Sequence, residues 1–122
     1  MTDFNFVILY VDSPKRSETF YADLLGRPAI DSSPSFVMFG LAPGVMLGLW
    51  GRAGVAPAAN APGGGEIAVS VANDAALDAR HADWRARGLE IVQAPTAMDF
   101  GRTFVALDPD GHRLRVFAPG GA

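Results

Sequence analysis

The pattern of apolar and polar positions in the first half of the chain predicts one strand, one helix and three further strands. Residues 6–11 (FVILYV) are a near-continuous apolar run, which is typical of a strand covered on both faces. Ser13 can cap a helix, Pro14 suits its first turn, and Gly26 follows its last apolar position. The three remaining predicted strands are the apolar runs at residues 28–30, 36–39 and 45–50.

The second half repeats this series of elements. Asn73 or Asp74 can cap a helix whose inner face carries Leu77, His81 and Trp84 at positions i, i+4 and i+7. On that face, His81 and Trp84 are expected to pack in the core rather than to carry chemistry. The predicted strands are residues 66–71 and 89–92 and the hairpin of residues 102–117, with a loop over residues 95–101.

Three landmarks recur in the same order and indicate a duplicated unit. The strand starts, the helix-ending glycines and the hairpin-turn glycines are 60, 62 and 67 positions apart: Phe6 and Glu66, Gly26 and Gly88, and Gly44 and Gly111. Residues 53–65 are rich in Gly, Pro and Ala and predict a linker between residues 1–52 and 66–122. The sequence therefore predicts a single α+β domain, residues 1–122, made of two βαβββ modules.

Composition narrows the possible partners. The apolar fraction of 49% is enough for a packed core, but no apolar run is long enough to span a membrane. A net charge of −3 argues against nucleic-acid binding. The chain has no cysteine, and its start lacks the pattern of a signal peptide. We therefore expect a cytoplasmic protein without a nucleic-acid or membrane partner.

Three segments resemble the vicinal oxygen chelate (VOC) superfamily, which includes glyoxalase I, extradiol dioxygenases, fosfomycin-resistance enzymes and bleomycin-resistance-type binding proteins. They are residues 8–21 (ILYVDSPKRSETFY), 61–71 (APGGGEIAVSV) and 98–117 (MDFGRTFVALDPDGHRLRVF). The resemblance implies that each module curls its sheet into an open half-barrel and that the concave side holds a pocket. In this setting DPDG is first a turn sequence, so Asp108 and Asp110 are expected to serve the turn, with His112 facing water.

The resemblance also identifies where metal-using members carry their ligands. The corresponding positions here are Phe6, Gly48, Glu66 and Arg115, of which only Glu66 can donate to a cation. Because a divalent ion needs several convergent oxygen or nitrogen donors, we expect no metal and no other cofactor. The chain is most similar in this respect to the metal-free bleomycin-resistance-like branch.

Strand alternation places a mixed set of aromatic, small and charged residues on the ligand-bearing face. The residues expected to line the binding site are Phe6, Ile8, Tyr10, Met46, Gly48, Trp50, Glu66, Ala68, Met98, Phe100, Arg115 and Phe117. In this interpretation Gly48 and Ala68 leave room, while Tyr10 and Trp50 stack on a ligand. Glu66 and Arg115 either orient the ligand or only pair with each other. Met98 and Phe100 form either a lid or a dimer contact.

We expect a homodimer that binds and sequesters an aromatic, drug-like or natural-product molecule, as in antibiotic resistance or self-protection. One alternative is a metal-free isomerase or hydrolase that uses Glu66 as its general base. Another is a structural or regulatory dimer whose cavity holds no ligand. The sequence leaves the three open.

Overall fold

A computed structural model describes residues 4–59, 61 and 64–120. The chain divides into two compact units, Met1–Pro62 and Gly63–Ala122, and the division falls inside the predicted linker. In the described residues each unit contains one α-helix and one four-stranded mixed sheet, and neither sheet is closed into a barrel. This architecture confirms the predicted α+β fold of tandem βαβββ modules.

The first unit has the element order that the hydrophobic pattern predicts. Its elements are β1 (Phe6–Val11), α1 (Pro14–Leu25), β2 (Asp31–Ser32), β3 (Phe36–Ala42) and β4 (Val45–Gly51), followed by a short 3₁₀ turn (Arg52–Gly54). The strands lie in the order β1-β4-β3-β2. Strand β1 is parallel to β4, whereas the other neighbours are antiparallel.

A capping side chain and a glycine set the ends of α1. Buried side chains show which side of the sheet the helix covers. The Ser13 side chain accepts a hydrogen bond from the Arg16 backbone N–H at 3.2 Å, and Gly26 ends the helix in the left-handed region. The core of this unit consists of side chains that are almost fully buried. They are Val11, Tyr21, Val37, Phe39, Leu47 and Leu49. These side chains lie on the side of the sheet that α1 covers, whereas Val7, on the edge strand β1, remains 37% exposed.

The second unit repeats the arrangement. Its elements are β5 (Glu66–Ser70), α2 (Asp74–Ala86), β6 (Glu90–Met98), β7 (Gly101–Leu107) and β8 (Arg113–Pro119). The strands lie in the order β5-β8-β7-β6, with β5 parallel to β8. Asn73 caps α2 by accepting a hydrogen bond from the Ala76 N–H at 2.8 Å.

The helix α2 packs on its sheet through the residues that the periodicity selects. The ring of Phe104, which is fully buried, meets Trp84 edge-on at 5.4 Å and His81 at 5.3 Å. Asp108 accepts hydrogen bonds from the backbone N–H groups of Asp110 and His112, at 2.9 and 2.8 Å. The structural roles predicted for His81, Trp84 and the DPDG turn are therefore confirmed.

Strands β6 and β2 differ most from the prediction. Strand β6 extends to Met98, so only residues 99 and 100 remain of the loop predicted over residues 95–101. Pro95 is tolerated inside β6 because the pairing is irregular between Gln93 and Thr96, where a ladder hydrogen bond is not required. Strand β2 covers residues 31–32 rather than 28–30, although Ile30 already donates to the Met38 carbonyl at 2.7 Å.

Candidate functional site

In the first unit, the predicted binding residues share the sheet face opposite α1. The register pairs three residues of β1 with three of β4: Phe6 with Met46, Ile8 with Gly48, and Tyr10 with Trp50. Strand β3 adds Phe36 opposite Trp50 and Met38 opposite Gly48. Since paired residues point to the same side of a sheet, the six predicted residues and these two form one surface.

The space above Gly48 is filled by aromatic rings. A Cβ atom at this position would lie 2.6 Å from Cζ of Phe36 and 3.0 Å from Cε1 of Phe6. Gly48 therefore admits two neighbouring phenyl rings rather than leaving the empty room expected from the sequence. Phe36 was not among the predicted site residues; its place in a predicted strand could have indicated its face of the sheet, but not the direction of its ring.

The aromatic groups of this surface are partly open to contact. Tyr10 and Trp50 meet edge-to-face, with ring centroids 6.2 Å apart. Trp50 is half-buried, whereas Phe6 and Ile8 remain 42% and 45% exposed. The surface thus offers edges and faces of aromatic rings that a flat apolar molecule could cover.

In the second unit, Arg115 organises a polar cluster on the sheet face opposite α2. Its Nε–H donates to Oε1 of Glu66 at 2.6 Å. Its Nη1 group donates to Oγ1 of Thr103 at 3.1 Å and to Oε1 of Gln93 at 3.3 Å. These four residues, Arg115, Glu66, Gln93 and Thr103, are called the Arg115 centre below.

The partners of Arg115 are themselves fixed. Thr103 is fully buried, and its hydroxyl donates to the Val116 carbonyl at 2.8 Å, so its oxygen accepts from Arg115. The Gln93 amide nitrogen approaches Sδ of Met98 at 3.6 Å, which turns its oxygen towards the guanidinium. The guanidinium is therefore held on three N–H groups before any ligand arrives.

Aromatic and apolar side chains border the Arg115 centre. The Phe100 ring centroid lies 5.8 Å from Cζ of Arg115, within the range of a cation–π contact, and Phe100 meets Phe117 edge-to-face at 6.1 Å. Phe100 and Met98 are each 46% exposed, and Ala68 is the direct neighbour of Arg115 across the sheet. Of the five other predicted residues of this unit, Glu66 and Phe100 contact the guanidinium directly, and Ala68, Met98 and Phe117 lie next to residues of this cluster.

Gly101 sets the position of Phe100. Its φ of 132° is a conformation that other residues rarely adopt, and a Cβ atom there would overlap the Ala118 carbonyl oxygen. Phe100 also accepts a hydrogen bond at its carbonyl from Gly120 N–H at 2.9 Å. The tip of the β6–β7 hairpin is therefore tied to the end of β8.

Gln93 and Thr103 are the members of the Arg115 centre that were not predicted from the sequence. Thr103 is a polar residue on the same face as Arg115, because it pairs with Phe117 across β7 and β8. Strand alternation was therefore a usable signal for Thr103. Gln93 lay just outside the strand predicted over residues 89–92, so its direction could not be assigned.

The four positions that carry ligands in metal-using proteins do not fit a metal here. The side chains of Phe6 and Gly48 offer no metal-binding atom. Arg115 is positively charged, and its Nε–H already donates to Glu66. In the described part of the chain, no group of three or more His, Asp or Glu side chains is placed to hold a metal ion.

The protein-family model of the Glyoxalase/Bleomycin resistance protein/Dioxygenase superfamily matches residues 3–116 of the sequence. The chain belongs to this superfamily. It is 28% identical over 115 residues to the phenazine antibiotic resistance protein EhpR of Enterobacter agglomerans, a match that covers 92% of this chain and 88% of EhpR.

Solved structures agree with the superfamily fold. A protein of Agrobacterium tumefaciens, solved by NMR, is 52% identical with a TM-score of 0.90, and the match covers 99% of this chain and all of the other. A glyoxalase/bleomycin resistance protein/dioxygenase from Nocardioides is 27% identical with a TM-score of 0.83, over 99% of this chain and 87% of the other. Among the described residues, no helix is both long and apolar enough to cross a membrane.

Proposed function

We propose that this superfamily member binds a flat aromatic small molecule reversibly and without a metal, and so sequesters a toxic natural product such as a phenazine. The observation that carries the proposal is the Arg115 centre, a fixed polar group bordered by half-exposed Phe100 and by Phe117. A few positioned polar groups among aromatic walls are typical of small-molecule sites. The similarity to a phenazine resistance protein supports the ligand class.

Binding would draw its free energy from covering aromatic surface. Phe6 in the first unit and Phe100 in the second are each more than two-fifths exposed, so a ligand could remove apolar area from water at either. Aromatic pairs contribute roughly 0.5–1.5 kcal/mol beyond that burial. The polar groups then select orientation rather than supplying most of the affinity.

We further propose that the protein acts in the cytoplasm as a homodimer. Strand β1 lies at the edge of its sheet, and it carries Phe6, Val7 and Ile8 in exposed positions. An open edge strand with exposed apolar side chains favours pairing with another chain. A second copy is the partner that a symmetric assembly of this chain would supply.

The test is a titration with phenazine, read by native mass spectrometry and by Trp50 fluorescence in a Trp84→Phe background that leaves one tryptophan. We expect a stoichiometric complex, no product, and quenching of Trp50. Phe100→Ala should weaken binding at the Arg115 centre by roughly 1–3 kcal/mol, as expected for an aromatic anchor, and Trp50→Ala should do the same for ligand bound at the aromatic surface of the first unit. Phe4→Ala, which removes a 95% exposed ring, is the matched control and should bind normally.

Two outcomes would contradict the proposal. Absence of any complex with phenazine would reject this ligand class. Formation of a product that disappears in Glu66→Gln would instead favour the enzymatic alternative, in which Glu66 is the general base.

A further inference from the structure

We propose, on the basis of the binding function above, that the Arg115 centre selects a neutral ligand edge with an acceptor beside a donor, such as a primary carboxamide or a lactam. It would disfavour a carboxylate. Two features of Arg115 and Glu66 support this selectivity: the hydrogen-bonding atoms that they leave open, and the balance of their charges.

The open atoms comprise one donor group and one acceptor. A guanidinium has five N–H groups, and three of those of Arg115 are used by Glu66, Thr103 and Gln93. Within the described part of the chain, no hydrogen bond involves Nη2 of Arg115 or Oε2 of Glu66. A carboxamide can use both, because its carbonyl accepts from Nη2 while its N–H donates to Oε2.

The charge balance argues against an anion. The carboxylate of Glu66 lies 2.6 Å from Nε of Arg115, so the formal charges of the pair cancel where a ligand would bind. The side chains are only 17% (Arg115) and 31% (Glu66) exposed, so water screens a third charge poorly. A ligand carboxylate would meet the carboxylate of Glu66 and would gain little net attraction in return.

Arg113 is the other cation on this face and does not change the conclusion. It lies opposite Glu66 in the register of β5 and β8, but its side chain is exposed and makes no ion pair with any residue that the structure describes. A solvated cation of this kind attracts an anion weakly. It also provides a matched control, because it carries the same charge on the same strand.

The experiment compares phenazine-1-carboxamide, phenazine-1-carboxylate and unsubstituted phenazine by calorimetry on the full chain. The carboxamide should bind at least about tenfold more tightly than either of the others, since hydrogen bonds to charged groups are the strong ones. Arg115→Lys keeps the charge but removes the fork, and it should abolish this preference. Glu66→Gln leaves the guanidinium uncompensated and should shift the preference towards the carboxylate. Arg113→Met should leave the ratio of carboxamide to carboxylate affinity within about twofold.

Two results would overturn the inference: a wild-type preference for the carboxylate, or a ratio that Glu66→Gln does not change. Benzamide and benzoate, followed through the Arg115 Nε–H resonance by NMR, test the same edge without the tricyclic ring. Failure of all three phenazines with a retained benzamide preference rejects the proposed phenazine class but supports the inference. If neither benzamide nor phenazine-1-carboxamide binds, the inference is rejected. The proposed function is then still decided separately, by whether unsubstituted phenazine binds.

Discussion

Truncation of Trp84 should separate core packing from ligand contact. Trp84 lies on α2, is 7% exposed, and meets the fully buried Phe104 ring edge-on at 5.4 Å. Trp50, the other tryptophan, is half-buried on a sheet face away from α1. The same substitution by alanine at the two positions therefore removes the same atoms from two different environments.

The expected cost follows from the cavity that the indole leaves. Trp→Ala removes about 140 Å³ of side chain, and a cavity costs roughly 24 cal/mol per Å³, so an uncollapsed void would cost about 3 kcal/mol. Loss of the transfer free energy of the buried ring adds to this cost, whereas partial collapse of the cavity near the surface reduces it. We therefore expect Trp84→Ala to lower the free energy of unfolding by about 3–5 kcal/mol. Trp50→Ala should cost about 2 kcal/mol or less, because its ring is already partly in water.

Urea denaturation followed by far-UV circular dichroism measures both costs. Each variant keeps one tryptophan, Trp50 in the first unit or Trp84 in the second, so fluorescence reports the unfolding of the unit that carries it. If Trp84→Ala costs less than about 1 kcal/mol, the packing described for α2 is wrong. If Trp50→Ala costs as much as Trp84→Ala, Trp50 belongs to the core and its proposed ligand role fails.

Four further predictions address the fold, the site and the assembly. Elemental analysis should find no stoichiometric zinc, nickel, iron or manganese, and a chelator should leave the melting temperature unchanged; about one metal ion per chain would contradict the donor assignment. Light scattering at micromolar concentration should report a dimer, and a monomer would reject the proposed assembly. Gly101→Ala should lower the melting temperature sharply because its Cβ overlaps the Ala118 carbonyl, whereas Gly64→Ala, with no atom near its Cβ, is the control for a positive φ alone. The double variant Glu66→Leu/Arg115→Met should keep the free energy of unfolding within about 1 kcal/mol of the parent but lose the carboxamide preference. A greater loss of unfolding free energy than in Arg115→Met alone would contradict this prediction.

The sequence predicts the helices well because their determinants are local. Ser13 and Asn73 cap α1 and α2 through contacts only three residues away, and Gly26 ends α1 in a conformation that glycine favours. The duplicated spacing then predicts the second module from the first. Much of the helix-covered core follows from these local signals together with strand alternation, whereas the family resemblance rests on the duplicated module and on three segments of sequence.

The sequence predicts less of the site because its geometry depends on contacts between distant residues. The room above Gly48 is lost to Phe36, a residue of the neighbouring strand whose ring direction no pattern along the chain reveals. Gln93 lies opposite Val105, on the face of Arg115, only because the strand pairing shifts between Ile91 and Gln93. Pair register, bulges and ring volumes are tertiary properties, so alternation identifies the face but not what fills it.

The proposed ligand selectivity accounts for the open atoms of the Arg115 centre better than a purely structural role does. Withdrawing a carboxylate and a guanidinium from water costs free energy that their attraction offsets only in good geometry, and apolar replacements are often neutral or stabilising. Here the geometry is good, since Thr103 and Gln93 hold Nη1 and Glu66 holds Nε, but these contacts leave Nη2 and one carboxylate oxygen open. A purely structural pair would gain from closing both. An arrangement that fixes the guanidinium and keeps one donor and one acceptor free is the one expected of a group that recognises a ligand.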